Sequence, residues 1–444
     1  MKTIDRISQS VTLKIMIIGV LILLLLIPGF MIQDLIRERQ NRSEETIRKI
    51  NSKWSDAQTL TGPVLVIPYK QTSVDKNNNV VEEEHELSIT PENLYYKVGL
   101  QPEVKHLGIY KSILYKSEID FNGTFSKPDV SKTESGLIEW KKAYFRIGVS
   151  DLRGISDRVN FVVGGQPFSA EAGGKRDVIG NSLIITPENE AFIHTDSLIT
   201  FSCHLSLKGS QSLNFVPVGK TTRVEINGAW NAPGFTGNFS PDSKIDPKGF
   251  TAVWNVLHFN RNIPEEWIDS NVQDFNDTVF GVDLVDTVDH YQQNMRSAKY
   301  AVLFIALTFL VFFFVEIITK KRIHPIQYLL VGFALLLFYT LLLSVSEQLG
   351  FGWAYIIASV ATIGLITSYA HGIFKNRMQT SVMAAFLSVL YVFLYVILQL
   401  EDIALLIGSI GLFVILGVIM FVSRKINWYH QGEESSEEER NPEE

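Results

Sequence analysis

"EIITKKRIHPIQY", Glu316–Tyr328, places three cations in a row, Lys320, Lys321 and Arg322, ahead of His324 and Pro325. The sixteen positions before it, Tyr300 to Val315, carry no charge, and another long apolar run follows. A helix of about 20 apolar residues crosses a bilayer core. The stretch is therefore either a site or a signal read during membrane insertion. Its place among the other apolar runs decides between these readings and, with them, the fold.

Six runs are long and apolar enough to span: Val11–Ile32, Tyr300–Thr319, Ile326–Ser346, Phe351–Ala370, Thr380–Leu400 and Ile403–Ser423. The first has Lys14 as its only charge, contains Pro28 and Gly29, and lacks a small-residue cleavage site after it. It reads as an uncleaved anchor and not as a signal peptide. The short loop after the second run holds Lys320, Lys321 and Arg322; the loop after the fourth holds Lys375 and Arg377; Arg424 and Lys425 follow the sixth. The loops at "EQLGFG" and "LED" hold no Lys or Arg. Cations resist translocation, so the cation-bearing loops and both termini are expected in the cytoplasm. Arg37, Arg39, Arg42, Arg48 and Lys49 beyond the first run argue the other way, but long translocated segments largely escape this charge rule.

The 444 residues carry a net charge of −7 and one cysteine. Cys203 has no partner for an internal disulfide and reads as a small buried hydrophobe within "TFSCHLSL". No nucleic-acid partner is expected.

Residues 34–297 then form one extracytoplasmic insertion. It opens on "IQDLIRERQNRSEETIRKINSKW", which has no Gly or Pro and spaces Glu44/Arg48 and Glu45/Lys49 four apart, as a polar helix does. Beyond it the pattern turns strand-like. "TGPVLVIPY" brackets Val64–Ile67 with Pro63 and Pro68, which predicts a short strand or a sheet edge. "HLGIYKSILYKSEIDFNGTF", "AYFRIGVSD", "FIHTDSLITFSCHLSLKG", "SLNFVPVGK", "TTRVEINGAW" and "GFTAVWNVLHF" are β-rich segments divided by Gly, Asn, Asp and Pro. Ten or so strands or more are expected, in one lobe or two. "FVVGGQPFSAEAGGKRDVIG" lacks the spacing of a phosphate loop and reads as a surface loop.

The fold expected is a membrane protein with six transmembrane α-helices, one plus five, and a large, mostly β periplasmic domain inserted between helices 1 and 2. Its segments are a cytoplasmic N-terminus (1–10), helix 1 (11–33), a helical stalk (34–54), the β domain (55–297), a five-helix bundle (298–423) and an acidic tail (424–444). The tail ends in "HQGEESSEEERNPEE", whose charge and lack of apolar residues predict disorder.

Charges at or within the spans are the first candidates for chemistry, because burying them is expensive. Glu316 lies one turn from the inner end of the second run. Pro325 suits a first helical position, which puts His324 at the N-cap. Glu347 closes the third run, and Glu401 and Asp402 form a tight turn. Glu316, His324 and Glu347 either form a polar pathway or are separately interfacial, with Glu316 pairing to Lys320. By helical rise His324 and Glu347 stand roughly 30 Å apart and share no site. Tyr339, Ser359, Thr362, Tyr391 and Tyr395, with "GSIG" at Gly408–Gly411, are accounted for by close helix packing. No H-E-x-x-H, no His pair four apart and no Gly-x-Ser-x-Gly occurs, and His194 and His204 lie apart. No catalytic, cofactor-binding or metal-ligating residue is expected. "GVSDLRGIS" sets Asp151 and Arg153 two apart, facing one way on a strand, as an ion pair in either a structural turn or a ligand site.

Taken in order, the N-terminal anchor, "LTGPVLVIPY", "HLGIYKS", "VSDLRGI", "FVPVGKTT", "WNAPGFTGNFSP", "AKYAVLFIALTF", "FFFVE" and "HPIQYLLVG" resemble the CreD family of Gram-negative inner-membrane proteins. The likeness runs from about residue 12 to Tyr429 and is densest over Arg296–Leu342. The resemblance implies a part in cell-envelope integrity, control by a carbon-source-responsive two-component system, and links to colicin-type toxin tolerance and β-lactam responses. It implies no reaction. The residues matching the family pattern are Gly62, Pro63, Pro68, Asp151, Arg153, Gly154, Glu316, His324 and Pro325. The tail after His430 falls outside that pattern. The function expected is non-enzymatic, with the lipid bilayer and an envelope component or protein as partners and oligomeric state specified by no motif. The alternative is a transporter or exporter of a small amphipathic or envelope-derived molecule.

Overall fold

A computed structural model of the chain describes residues 11–74, 80–128, 137–173, 179–188, 198–269, 275–284, 290–319, 323–400 and 403–424. Lys320–Arg322, His194, the turn acids Glu401 and Asp402, Trp428, Tyr429, the N-terminal ten residues and the acidic tail lie outside the described residues. The chain divides into two units: Met1–Ser43 with Val288–Glu444, and Glu44–Thr287.

The first unit is helical. Helix α1 (Val11–Ser52) runs through Pro28 without interruption. It is followed, after the β-rich segment, by α2 (His290–Lys299), α3 (Ala301–Thr319), α4 (Pro325–Leu349), α5 (Phe351–Phe374), α6 (Arg377–Gln399) and α7 (Ala404–Ser423). Five of these, α1 and α3 to α6, are long and apolar enough to cross a membrane. Helix α7 covers the sixth apolar run. Leu25 and Ile36 of α1, Phe309 and Phe312 of α3, Leu335 and Phe338 of α4, Ala358 of α5 and Leu387 of α6 share one core. Leu23, Ile27, Phe30, Leu337, Val360 and Val389 are exposed on the same helices. An apolar residue facing outward is what a helix in lipid presents. Tyr355 donates to the Tyr391 carbonyl at 2.7 Å, and the Phe338 ring lies 4.8 Å from that of Tyr391. Tyr391 is thus a helix-packing group, as the sequence suggests; Tyr355, whose place near a span end suggests an interfacial ring, is buried with it.

Helix α2 corrects the expectation of β structure up to residue 297. Tyr291, Asn294, Ser297 and Ala298 are its buried residues. That spacing is one face of a helix. The segment is too polar to register as a span and too short for its period to stand out in sequence.

The second unit holds eighteen strands among the described residues. They form a ten-stranded and an eight-stranded sheet around a single apolar core that includes Val64, Tyr96, Phe121, Phe145, Phe215 and Trp254. Of the one lobe or two expected, the described strands form two sheets on one core. The strand Gln58–Val74 overturns the reading of a short or edge strand. It is seventeen residues long and lies inside the ten-stranded sheet, parallel to Ser212–Val216 and antiparallel to Tyr144–Val149 and Val80–Ile89. Both prolines fall where no ladder bond is needed. Pro63 sits in the irregularity between Thr61 and Val64. Pro68 sits in the gap between the last pair with Tyr144–Val149, at Val66, and the first with Leu137–Ile138, at Tyr69. Its carbonyl accepts from the Glu139 N–H at 2.9 Å.

Gly62 makes the bulge possible. Its φ is +98°, and a Cβ there would meet the Arg146 carbonyl oxygen at 2.9 Å. Tyr96 donates its hydroxyl to the Gly62 carbonyl. We expect Gly62→Ala to cost about 1–3 kcal/mol through strain and crowding. A lowered unfolding midpoint checks this; an unchanged one would mean that the bulge relaxes freely.

Candidate functional site

In the helical unit, polar groups converge where α3 ends and α4 begins. Glu316 is in the last turn of α3. His324 caps α4: its Nδ1 accepts from the Ile326 N–H at 3.3 Å, while Gln327 Oε1 accepts from the His324 N–H at 3.0 Å. Pro325 occupies the first turn, where its missing N–H is harmless. This reversal brings Tyr328 beside Glu316. The Tyr328 hydroxyl donates to Glu316 Oε2 at 2.9 Å, and the Ile323 N–H donates to Oε1 at 3.0 Å.

The remaining partner comes from the other end of the chain. Lys14 Nζ of α1 lies 2.5 Å from Glu316 Oε1. The Glu316 side chain is only 4% exposed and that of Lys14 29%. Lys320, the partner anticipated from i+4 spacing, lies outside the described residues. A cavity of about 400 Å³ opens beside the pair, lined by Leu13, Lys14, Ile17, Glu316, His324 and Tyr328 among others. A buried carboxylate of this kind persists only when its charge and lone pairs are matched, and here one cation and two neutral donors match them.

Glu347 belongs elsewhere. It sits in the last turn of α4, accepts from the Tyr291 hydroxyl at 3.1 Å, and lies 3.9 Å from Arg39. Asn294 donates to Ser346 Oγ at 2.8 Å beside it. Glu316 with His324 and Glu347 with α2 are thus two clusters at opposite ends of α4.

In the β unit, Asp151 and Arg153 form the expected ion pair, with Arg153 Nη2 2.7 Å from Asp151 Oδ2. The local structure is not a strand. Leu152–Gly154 is a single 3₁₀ turn with Asp151 as its N-cap, accepting from the Arg153 N–H. The carboxylate also accepts from Arg153 Nε at 2.9 Å, Ser55 Oγ at 3.0 Å and the Asp56 N–H at 3.0 Å. Arg153 further donates to the Ser52 carbonyl and Asp56. Buried Gln58 lies beneath, donating to Ser55 Oγ, the Asp151 carbonyl and the Lys208 carbonyl. A Cβ on Gly154 would collide with that Lys208 carbonyl and with Gln58 Nε2. The arrangement is a closed clasp joining Ser52–Gln58 to the 150s turn.

The Arg153 hydrogen bond, helped by Asp56, Ser55 and the Arg153 N–H and opposed by burial, holds the Asp151 carboxyl well below the usual carboxylate range. A depressed carboxyl stabilises the fold fully above its unfolded pKa, about 3.9, and that contribution is lost as pH falls towards the folded value. The stability gap between the natural chain and Asp151→Asn should therefore be constant from pH 5 to 7 and shrink below about pH 4. Unfolding midpoints across that range test it; a gap that ignores pH would contradict it.

The sequence pointed to neither Lys14 as a partner nor two buried arginines. Arg146 donates to Ser182 Oγ at 2.9 Å. Arg261 donates to the carbonyls of Gly219, Val218 and Ile263, and burial pulls its pKa down to about 10. Nothing local in the sequence marks Arg261 as buried. His204 lies 2.7 Å from Asp120 on the exposed side of its strand. Among the described residues no group of three or more His, Cys, Asp or Glu is placed to hold a metal ion.

A family profile described as "Inner membrane protein CreD" matches residues 10–429. The inner membrane protein CreD of Escherichia coli strain K12 is 32% identical over 416 residues, spanning 92% of this chain and 91% of that protein. Among solved structures, native yeast LTA4 hydrolase overlaps 44% of this chain and 28% of its own at 8% identity, with a TM-score of 0.18. A likeness that slight carries no argument.

Proposed function

This chain belongs to the CreD family of inner membrane proteins, and from that premise we propose that it maintains cell-envelope integrity without catalysing a reaction. In this reading it crosses the bilayer six times with both termini in the cytoplasm. The β unit stands in the periplasm and binds an envelope component. The Lys14–Glu316–Tyr328 contact locks the single N-terminal helix into the helical base.

The observation that carries the proposal is the engagement of the charged groups. The carboxylate of Glu316 is occupied by Lys14, Tyr328 and the Ile323 N–H. That of Asp151 is occupied by Arg153, Ser55 and Asp56. Groups matched in this way support a scaffold more readily than a proton-transferring or nucleophilic role, which needs a free or poised group. The β unit accounts for more than half of the chain, which suits a binding role.

Deleting the gene should raise envelope permeability to a normally excluded dye and increase detergent sensitivity, and the full chain should restore both. Unchanged permeability and detergent tolerance in the deletion strain would sink the proposal. A reporter at Asn122 tests the topology separately.

A further inference from the structure

The long hairpin of the eight-stranded sheet, Asn93–Leu107 with Tyr110–Phe125, stays in register to its last pair, Leu107 with Tyr110. Its neighbours stop earlier. Thr221–Gly228 pairs along it only as far as Leu100, and Ile199–Ser210 only as far as Leu114. The Ile113 carbonyl still accepts from the Gln211 N–H, and the last three pairs, Lys105–Ser112 to Leu107–Tyr110, form a two-stranded finger. At the rise of a strand this is about 10 Å long.

The finger is exposed and apolar at its end. Leu107 is 52% exposed and Ile109 40%, with Val104 at the root 39%. Large apolar side chains gathered at the end of a projecting element mark an interaction surface. The flanking charge is basic: Gln101–Lys116 holds three lysines and His106 against one glutamate. Glu103 lies 2.7 Å from Lys105, and by composition the segment holds two more lysines than glutamates. Phe259, another exposed apolar residue of this unit, lies in the 3₁₀ turn His258–Asn260 and not on a hairpin.

The root of the finger also has a direction. Ser112 donates to Asn51 Oδ1 at 2.6 Å, and Trp54 Nε1 donates to the Tyr115 carbonyl at 3.4 Å. Moving from Tyr115 through Ser112 to the tip therefore follows the chain from Trp54 back through Asn51. The finger points to the end of the β unit that holds Asn51.

We propose that the tip of this finger, Lys105 to Lys111, docks in the headgroup layer of an anionic bilayer, Leu107 and Ile109 entering the acyl boundary and Lys105 and Lys111 meeting lipid phosphates. An apolar wedge ringed by lysines suits this interface, because the stems lie along apolar surface while the ammonium groups reach the headgroups. The inference needs only membership of a membrane-protein family, so it stands or falls separately from the envelope-integrity reading and from the side on which the β unit lies.

The test uses the full chain in nanodiscs of phosphatidylcholine and phosphatidylglycerol. Cys203 is buried and its thiol is pushed up to about 12, so it stays unlabelled at neutral pH. Spin labels are placed by Leu107→Cys, by Ile109→Cys as a second finger position, and by Asn122→Cys as an exposed control on the same hairpin. The finger labels should be several-fold more accessible to oxygen, relative to an aqueous nickel chelate, than the Asn122 label. Adding Lys105→Glu and Lys111→Glu should bring them to the control value. Finger labels as aqueous as Asn122 would overturn the proposal. Shielding that persists in pure phosphatidylcholine, or with both lysines reversed, would overturn its anionic-lipid part.

Discussion

Lys14→Met is expected to destabilise the helical unit by about 3–5 kcal/mol, the cost of leaving a buried charge without its partner. Glu316 would keep its two neutral donors, Tyr328 and the Ile323 N–H, in a site where its side chain is 4% exposed. Two hydrogen bonds do not replace an ammonium at 2.5 Å, because the desolvation of the carboxylate is undiminished. Glu316→Gln should cost less, about 1–2 kcal/mol, since the amide oxygen still accepts from the Ile323 N–H and the amide NH2 can donate to the Tyr328 hydroxyl once that hydroxyl turns. The double variant Lys14→Met with Glu316→Gln should be more stable than Lys14→Met alone, the signature of a coupled pair. Thermal unfolding of the whole chain in detergent measures all three. A Lys14→Met chain within about 0.5 kcal/mol of the natural one, the range of an inconsequential surface change, would show that water reaches Glu316 and that the pair locks nothing.

Gly154→Ala should cost about 3 kcal/mol, at the upper end for inserting one carbon into a packed site. The added methyl would collide with the Lys208 carbonyl and Gln58 Nε2. The carbonyl belongs to a residue held in register with Lys116 of the neighbouring strand and already accepts from Gln58. Gln58 could move only by releasing its bonds to Ser55, Asp151 and Lys208. Asp151→Ala acts on the same clasp from above, leaving Ser55 and the Asp56 N–H without their acceptor, for about 2 kcal/mol. The half-exposed Arg153 recovers water, which keeps that figure from rising. Because both substitutions break one network, their double variant should cost clearly less than the sum. Strict additivity by urea unfolding would mean that Gly154 and Asp151 serve separate structures.

Several parts of the molecule are legible along the chain. Apolar runs flanked by cations locate the helices to within a few residues, because transfer into lipid depends on composition summed over about 20 positions and little else. His324-Pro325 reads correctly as a helix start, since a cap is decided by three or four consecutive residues. The Asp151–Arg153 pair is visible for the same reason. The strand through Gly62, Pro63 and Pro68 misleads, because the rule for proline in strands assumes a neighbour at every position. Here the neighbours change along the strand, and each proline falls at a change.

Sequence alone determined that this is a membrane protein with one apolar helix at its start, an apolar helical block at its end and a β-rich segment between them. Each of those statements rests on local hydropathy and period, which act over a few to twenty residues. Only the tertiary structure decided that Lys14 neutralises Glu316, that two sheets share one core, and that Arg261 serves three carbonyls. These depend on which groups meet in the folded chain, up to 302 residues apart for Lys14 and Glu316. No local pattern encodes such a meeting, because the free energy that selects it belongs to the assembled pair and to neither residue alone.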